Sequence, residues 1–141
     1  MENSIPSPCF VLDEIRLEKN LQLLQHVQSE AGVDIILAFK GFAMWSAFPL
    51  VKKYLKGATA SSLNEVELCV EEMKCKAHTY SVAYAQDEID VVLQSSSYIT
   101  FNSLNQFERY KGRAMKWGVS CGIRVNPEQS DVDTDLYNPS A

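Results

Sequence analysis

Apolar segments recur along this chain at nearly constant spacing, and that regularity constrains the fold more than any single motif. Their centres, near Leu37, Thr59, Tyr80, Thr100 and Ile123, stand roughly 20 residues apart, the room needed for one strand, one helix and two short loops. Helical patterns with their own punctuation lie between and before them. Asp13 is placed to N-cap a helix with the stripe Leu17, Leu21, Leu24, Val27 and Ala31, and Gly32 follows it in the C′ position. Ala47 to Lys56 reads as a second helix, with Pro49 in its first turn and Gly57 as its stop. Ser62 with Glu65, and Ser103 with Gln106, are capping boxes. The first opens a helix with Val66, Val70 and Met73 inside, the second a helix with Leu104, Phe107 and Tyr110 inside. A shorter helix near Asp87 to Gln94 buries Ile89, Val92 and Leu93, and CFVLD at Cys9 to Asp13 is one more short strand candidate. Strands alternating with helices in this way make an α/β fold around a parallel sheet.

Two architectures satisfy that pattern, an open doubly wound sheet and a closed (β/α)8 barrel. No glycine-rich dinucleotide loop follows the first strand, and the units are nearly equal in length, which favours the barrel. A barrel needs eight strands and typically about 250 residues. These 141 residues supply about the first five β/α units. The chain is therefore expected to be one piece of a longer barrel and to be inactive by itself, since an unclosed barrel leaves two edge strands and an uncovered interior.

Within this frame the stretch DIILAFKGFAMW, Asp34 to Trp45, is the most informative. Ile35 to Phe39 reads as a strand buried on both faces, because strands covered by helices are continuously apolar. Lys40 then stands at the strand's C-terminal end, which in α/β sheets faces the ligand crevice. The structural alternative is a strand-end lysine whose long stem carries its ammonium to water. Arg124 sits in GIRVN, where an arginine pairs with an acid or meets an anion or cofactor if it is buried. Thr59, Ser61 and Asn102 also fall at strand C-terminal ends, where each could donate to a ligand or cap the next helix.

Charge and composition exclude several classes. With 13 basic and 18 acidic residues the net charge is -5, and no basic stripe offers a nucleic-acid footprint. No apolar run approaches the ~20 residues that cross a bilayer. The first residues lack the basic-then-apolar pattern of a secretory signal, and four cysteines without a CxxC pair suit a reducing cytoplasm. His26 and His78 read as structural, and Cys75 with His78 supplies too few ligands for a metal. In DVDTD, Asp131, Asp133 and Asp135 alternate, but Leu136 stands where a calcium loop needs glycine. Asp133 and Asp135 are left either as a solvated acidic loop or as groups facing a cationic ligand.

PSPCFVLDE, ILAFKGFAMW, TASSLNE, TFNSLNQFERY, GIRVNPE and DLYNP together resemble the carboxynorspermidine/carboxyspermidine branch of the fold-type III pyridoxal 5'-phosphate (PLP) decarboxylase family. That group also holds the diaminopimelate and ornithine decarboxylases and, more distantly, alanine racemase. The resemblance runs through nearly all of the chain. It implies that residues 1–141 are the N-terminal portion of a PLP-binding TIM-like barrel, followed in the family by the rest of the barrel and a C-terminal β-domain, with sites at a homodimer interface. It implies that Lys40 holds PLP as an internal Schiff base; the physical requirement of an unprotonated amine agrees, since apolar walls at Phe39 and Phe42 are expected to disfavour the ammonium. It implies that Arg124 lies close to the cofactor, and it leaves Thr59, in place of a common aspartate, as a weak contact. The activity implied is decarboxylation of carboxynorspermidine or carboxyspermidine in polyamine biosynthesis. A diaminopimelate-like decarboxylase and a non-catalytic PLP-binding barrel remain as alternatives.

Overall fold

A computed structural model describes residues 5–129 together with Asp131, Thr134 and Leu136. Helix α1 (Glu14–Ala31) is followed by β1 (Leu37–Ala38), a 3-10 turn (Trp45–Ala47) and α2 (Phe48–Val51). Then come β2 (Ala58–Ala60), α3 (Leu63–Glu71), β3 (Ala77–Tyr80), α4 (Ile89–Gln94), β4 (Ser96–Phe101), α5 (Leu104–Trp117) and β5 (Ser120–Ile123). The strands form one five-stranded sheet in the order β1-β2-β3-β4-β5, every pair parallel. Sequential parallel order is what successive β/α units produce as a barrel is laid down, so the expected array of five units is present.

Capping explains where the helices begin. The Asp13 carboxylate accepts from the Arg16 N–H, the Ser62 hydroxyl from the Glu65 N–H and the Ser103 hydroxyl from the Gln106 N–H. In both capping boxes the return bond falls one residue earlier than the cap: Ser61 N–H donates to Glu65 and Asn102 N–H to the Gln106 side-chain oxygen. Gly32 and Gly118 end α1 and α5 at φ +63° and +65°, the left-handed conformation that costs glycine least.

Alternation along the strands separates two faces. Outward side chains, among them Ala58, Ala60, Ala77, Ile99 and Phe101, are buried under the helices with Val66, Cys69, Ile89, Leu93, Tyr110 and Ala114. Phe101 is the hub, with the Tyr84, Phe107 and Tyr110 rings 5.9, 6.0 and 6.3 Å away.

Several local expectations are corrected. CFVLD is no strand; Phe10 and Val11 stand in solvent, without a sheet partner for their backbone. The first strand shortens to Leu37–Ala38 and is not buried on both faces, because Ala38 lies on the open inner side of an edge strand with one neighbour. The second helix stops at Val51. In α1 the buried positions are Leu21 and Gln28 while Leu24 and Val27 are exposed, and in α3 Cys69 replaces Val70 inside. In α5 Leu104 is exposed at the helix start, and Tyr110 and Ala114 carry the packing. In α3 and α5, which pack on the sheet, an apolar side chain at the edge of the stripe loses its place to whichever neighbour meets the strands.

Candidate functional site

The inner face of the sheet forms an open cleft of about 410 Å³ lined by Ala38, Lys40, Thr59, Ser61, His78, Tyr80, Tyr98 and Thr100, with Ala60 and Thr79 at its edge. Register explains this company. Ala38 is level with Thr59, Thr59 with His78 and His78 with Tyr98, forming one row across the sheet, while Tyr80, Thr100 and Gly122 align in the next. Residues two apart on a strand share a face. Lys40, Ser61 and Tyr80 therefore project from the C-terminal ends of three consecutive strands, the end at which α/β barrels hold their ligands.

Lys40 is exposed in a turn closed by Gly41 and Phe42 N–H groups donating to the Ala38 carbonyl at 2.9 and 3.1 Å. Phe39 does not wall the amine, contrary to expectation. It is buried on the opposite face, stacked on Phe48 with ring centroids 5.1 Å apart, because strand alternation turns successive side chains to opposite sides. Phe42 is half-buried and packs against the same core.

Arg124 lies one residue past β5 and is exposed, so its expected place inside the strand is corrected to the strand's C-terminal end. Its Nη1 donates to the Tyr80 hydroxyl at 2.6 Å and reaches Asn102 Oδ1 at 3.5 Å, and its guanidinium stands 5.7 Å from the Tyr80 ring centre. Tyr80 passes the chain of bonds on by donating to Asn102 Oδ1 at 3.0 Å. One phenol thus links the ends of β3, β4 and β5 and attaches Asn102 and Arg124 to the cleft that Lys40, Thr59 and Ser61 line. Thr59 and Ser61 are both half-buried in that lining. Asp133 and Asp135 lie outside the described residues.

Two further groups set the electrostatics. His78 packs its ring against Tyr98 at 4.4 Å, and burial lowers its pKa while the Asp34 carboxylate partly opposes that. The Tyr84 phenol, pushed up to about 12 by burial, accepts from Ser81 N–H and donates to the Thr100 carbonyl, so it ties the loop after β3 to β4 as a neutral group. Gly122 keeps the floor open beside Thr100, whose Oγ1 a Cβ there would approach to 3.3 Å. Among the described residues no group of three or more His, Cys, Asp or Glu side chains is placed to hold a metal.

Tyr80 and Thr100 are the site residues that motif reading missed, although both mark strand centres. The signal available was parity. Once Lys40 is taken as inward-facing, the matching positions of neighbouring strands follow at intervals of two.

The donor set suits an anionic aldehyde cofactor such as PLP. It offers one amine at the mouth, hydroxyls from Thr59, Ser61, Tyr80 and Thr100 along the lining, and a guanidinium held over an aromatic ring beside them.

No family model matches the chain. It is 44% identical over 137 residues, 97% of this chain and 35% of the relative, to carboxyaminopropylagmatine decarboxylase of Synechocystis. It is 42% identical over 135 residues, 96% of this chain and 35% of the relative, to carboxynorspermidine/carboxyspermidine decarboxylase of Campylobacter jejuni. The Herminiimonas arsenicoxydans protein of that same name is 39% identical over 136 residues, 96% of this chain and 37% of the relative. The crystal structure of Campylobacter jejuni carboxynorspermidine decarboxylase complexed with norspermidine matches with a TM-score of 0.85 at 39% identity, over 92% of this chain and 35% of that one. The chain spans about a third of the length of the curated relatives it matches.

Proposed function

We propose that the whole protein decarboxylates a carboxylated aminopropyl polyamine with PLP bound through Lys40, a reading supported by the chain's similarity, along nearly its whole length, to part of decarboxylases named for such substrates. The observation that carries this is Lys40 itself, an amine at the C-terminal mouth of a parallel sheet, in one cleft with the hydroxyls of Thr59, Ser61, Tyr80 and Thr100, to which Tyr80 attaches the Arg124 guanidinium. Residues 1–141 are then the N-terminal portion of the PLP-binding barrel domain, in a cytoplasmic homodimer.

Bound there, PLP supplies an electron-accepting ring for the loss of carbon dioxide from the substrate's α-carbon. Lys40 Nζ is the amine that would hold the cofactor, at the mouth of the cleft where a substrate amine would also enter. Arg124, its Nη1 held by the Tyr80 hydroxyl, would supply a fixed positive charge to an anionic group held at this end of the cleft. Asn102 fixes Tyr80 in turn, and Thr59 and Ser61 contribute hydroxyls to the lining. Asp133 and Asp135 are assigned to the substrate's ammonium groups, to which carboxylates are the complementary charge.

Two polyamine skeletons have specific support, since relatives named for carboxyaminopropylagmatine and for carboxynorspermidine/carboxyspermidine are similarly distant. Borohydride reduction of the PLP-loaded whole protein, followed by peptide mapping, should place the label on Lys40; label on Lys52, Lys53 or Lys56 overturns the assignment. Carbon dioxide release is then measured separately with carboxynorspermidine, carboxyspermidine, carboxyaminopropylagmatine and diaminopimelate. Turnover of one of the first three alone supports the proposal. Preference for diaminopimelate moves the protein to that branch, and inactivity on all four favours a non-catalytic PLP-binding barrel.

A further inference from the structure

At the opposite end of the strands from Lys40, two sulfur atoms meet. Cys69 is fully buried on the sheet-facing side of α3, and Cys75 lies half-buried in the connection from α3 to β3. Their Sγ atoms are 3.9 Å apart, and the Cys75 N–H donates to the Cys69 carbonyl at 3.1 Å, so backbone as well as side chains bring the pair together. Lys74 between them takes φ +52°, which folds the chain back onto the end of α3. From this geometry we propose that Cys69 and Cys75 form an oxidisable dithiol, a modification site in which a hydroperoxide converts two thiols into an intramolecular disulfide.

The two sulfurs have different roles. Cys75 is the one that ionises first: a hydrogen bond from the Cys69 thiol lowers its pKa, a backbone hydrogen bond at Ala58 and the Lys52 ammonium lower it further, and burial opposes them. The Cys69 thiol is raised by that same bond and by burial, and it stays protonated. The thiolate is the reactive form of cysteine, and Cys75 is also the more accessible of the pair. Its sulfur attacks one peroxide oxygen, an S–O bond forms, the O–O bond breaks, and hydroxide leaves to become water. Cys69 sulfur then attacks the Cys75 sulfur, the S–S bond forms, the S–O bond breaks, and the Cys69 proton leaves with the oxygen as a second water. Two thiols and one hydroperoxide therefore give one disulfide and two waters, or water and an alcohol from an organic peroxide. Closure from 3.9 Å to the ~2.05 Å of a disulfide requires movement of the α3–β3 connection, which lies outside the regular elements.

Hydrogen peroxide treatment of the folded chain, quenched and digested with trypsin, tests this. Cleavage at Lys56, Lys74 and Lys76 separates the cysteines onto peptides 57–74 and 75–76, so the proposal expects those two joined by a disulfide. Cys75 should be oxidised on the order of tenfold faster than Cys121, whose thiol burial raises. Oxidation confined to Cys9 or Cys121, or Cys75 accumulating as sulfenic acid without the cross-link, overturns it. In Cys69→Ser a dimedone probe should trap Cys75 as its sulfenic acid. Should that buried substitution prevent folding, Cys75→Ser in the connecting segment serves instead: peroxide should then leave Cys69 unmodified, and rapid oxidation of Cys69 overturns the assigned roles.

Discussion

The Tyr80 hydroxyl accepts from Arg124 Nη1 at 2.6 Å and donates to Asn102 Oδ1 at 3.0 Å. Removing that oxygen should loosen Arg124 while leaving the packing of the ring intact. Tyr80→Phe is expected to weaken PLP retention by the whole protein about tenfold, or ~1.4 kcal/mol, in the range of a hydrogen bond to a charged group. Absorbance titration measures this, with a melting midpoint close to that of the parent; unchanged affinity would mean that Asn102 alone suffices for Arg124. His78 contributes a pH dependence. Burial lowers its folded-state pKa below the unfolded value, so the unfolded chain binds the extra proton between the two. Its contribution to stability is complete above about pH 6.5 and is lost as pH falls towards the folded value. His78→Gln should flatten the rise of denaturation midpoint with pH in that window, and an unchanged slope would remove His78 as the source.

Among the elements, α1 departs most from its pattern. Its stripe pointed to Leu24 and Val27, yet the side chain that anchors it is Gln28, 6% exposed. Gln28 Nε2 donates to the Tyr54 carbonyl at 2.8 Å, and its Oε1 accepts from the Ile35 N–H at 2.7 Å. One amide thus pins the approach to β1 and the segment after α2 against the helix. Gln28→Leu keeps the volume but leaves a donor and an acceptor unpaired, each worth about 1–3 kcal/mol when buried. Chemical denaturation should show a loss of ~2 kcal/mol or more, and a loss below ~0.5 kcal/mol would show that water replaces both bonds. Hydropathy could not reveal this residue, because a satisfied buried amide and an exposed one have the same sequence. The capping boxes were legible for the opposite reason: Ser62 with Glu65 and Ser103 with Gln106 act on backbone groups within four residues.

Among the described residues the sheet is open, with β1 and β5 each paired on one side only. Unpaired strand edges recruit other strands, and Phe10, Val125 and Met115 add exposed apolar surface. The 141-residue chain should therefore self-associate as concentration rises; sedimentation velocity would show this, and a monomer at every concentration would count against it. The repeating unit, the parallel sheet and the position of Lys40 at a strand's ligand-facing end were all set by local sequence. Periodicity, N-caps and helix-ending glycines act over one or two turns, so they need no knowledge of the remainder of the chain. Only the tertiary structure decided that Tyr80 joins Asn102 to Arg124 and that Cys69 faces Cys75. Each of these depends on strand register and helix rotation, which are fixed by packing between segments that are distant in sequence, and no local pattern records that packing.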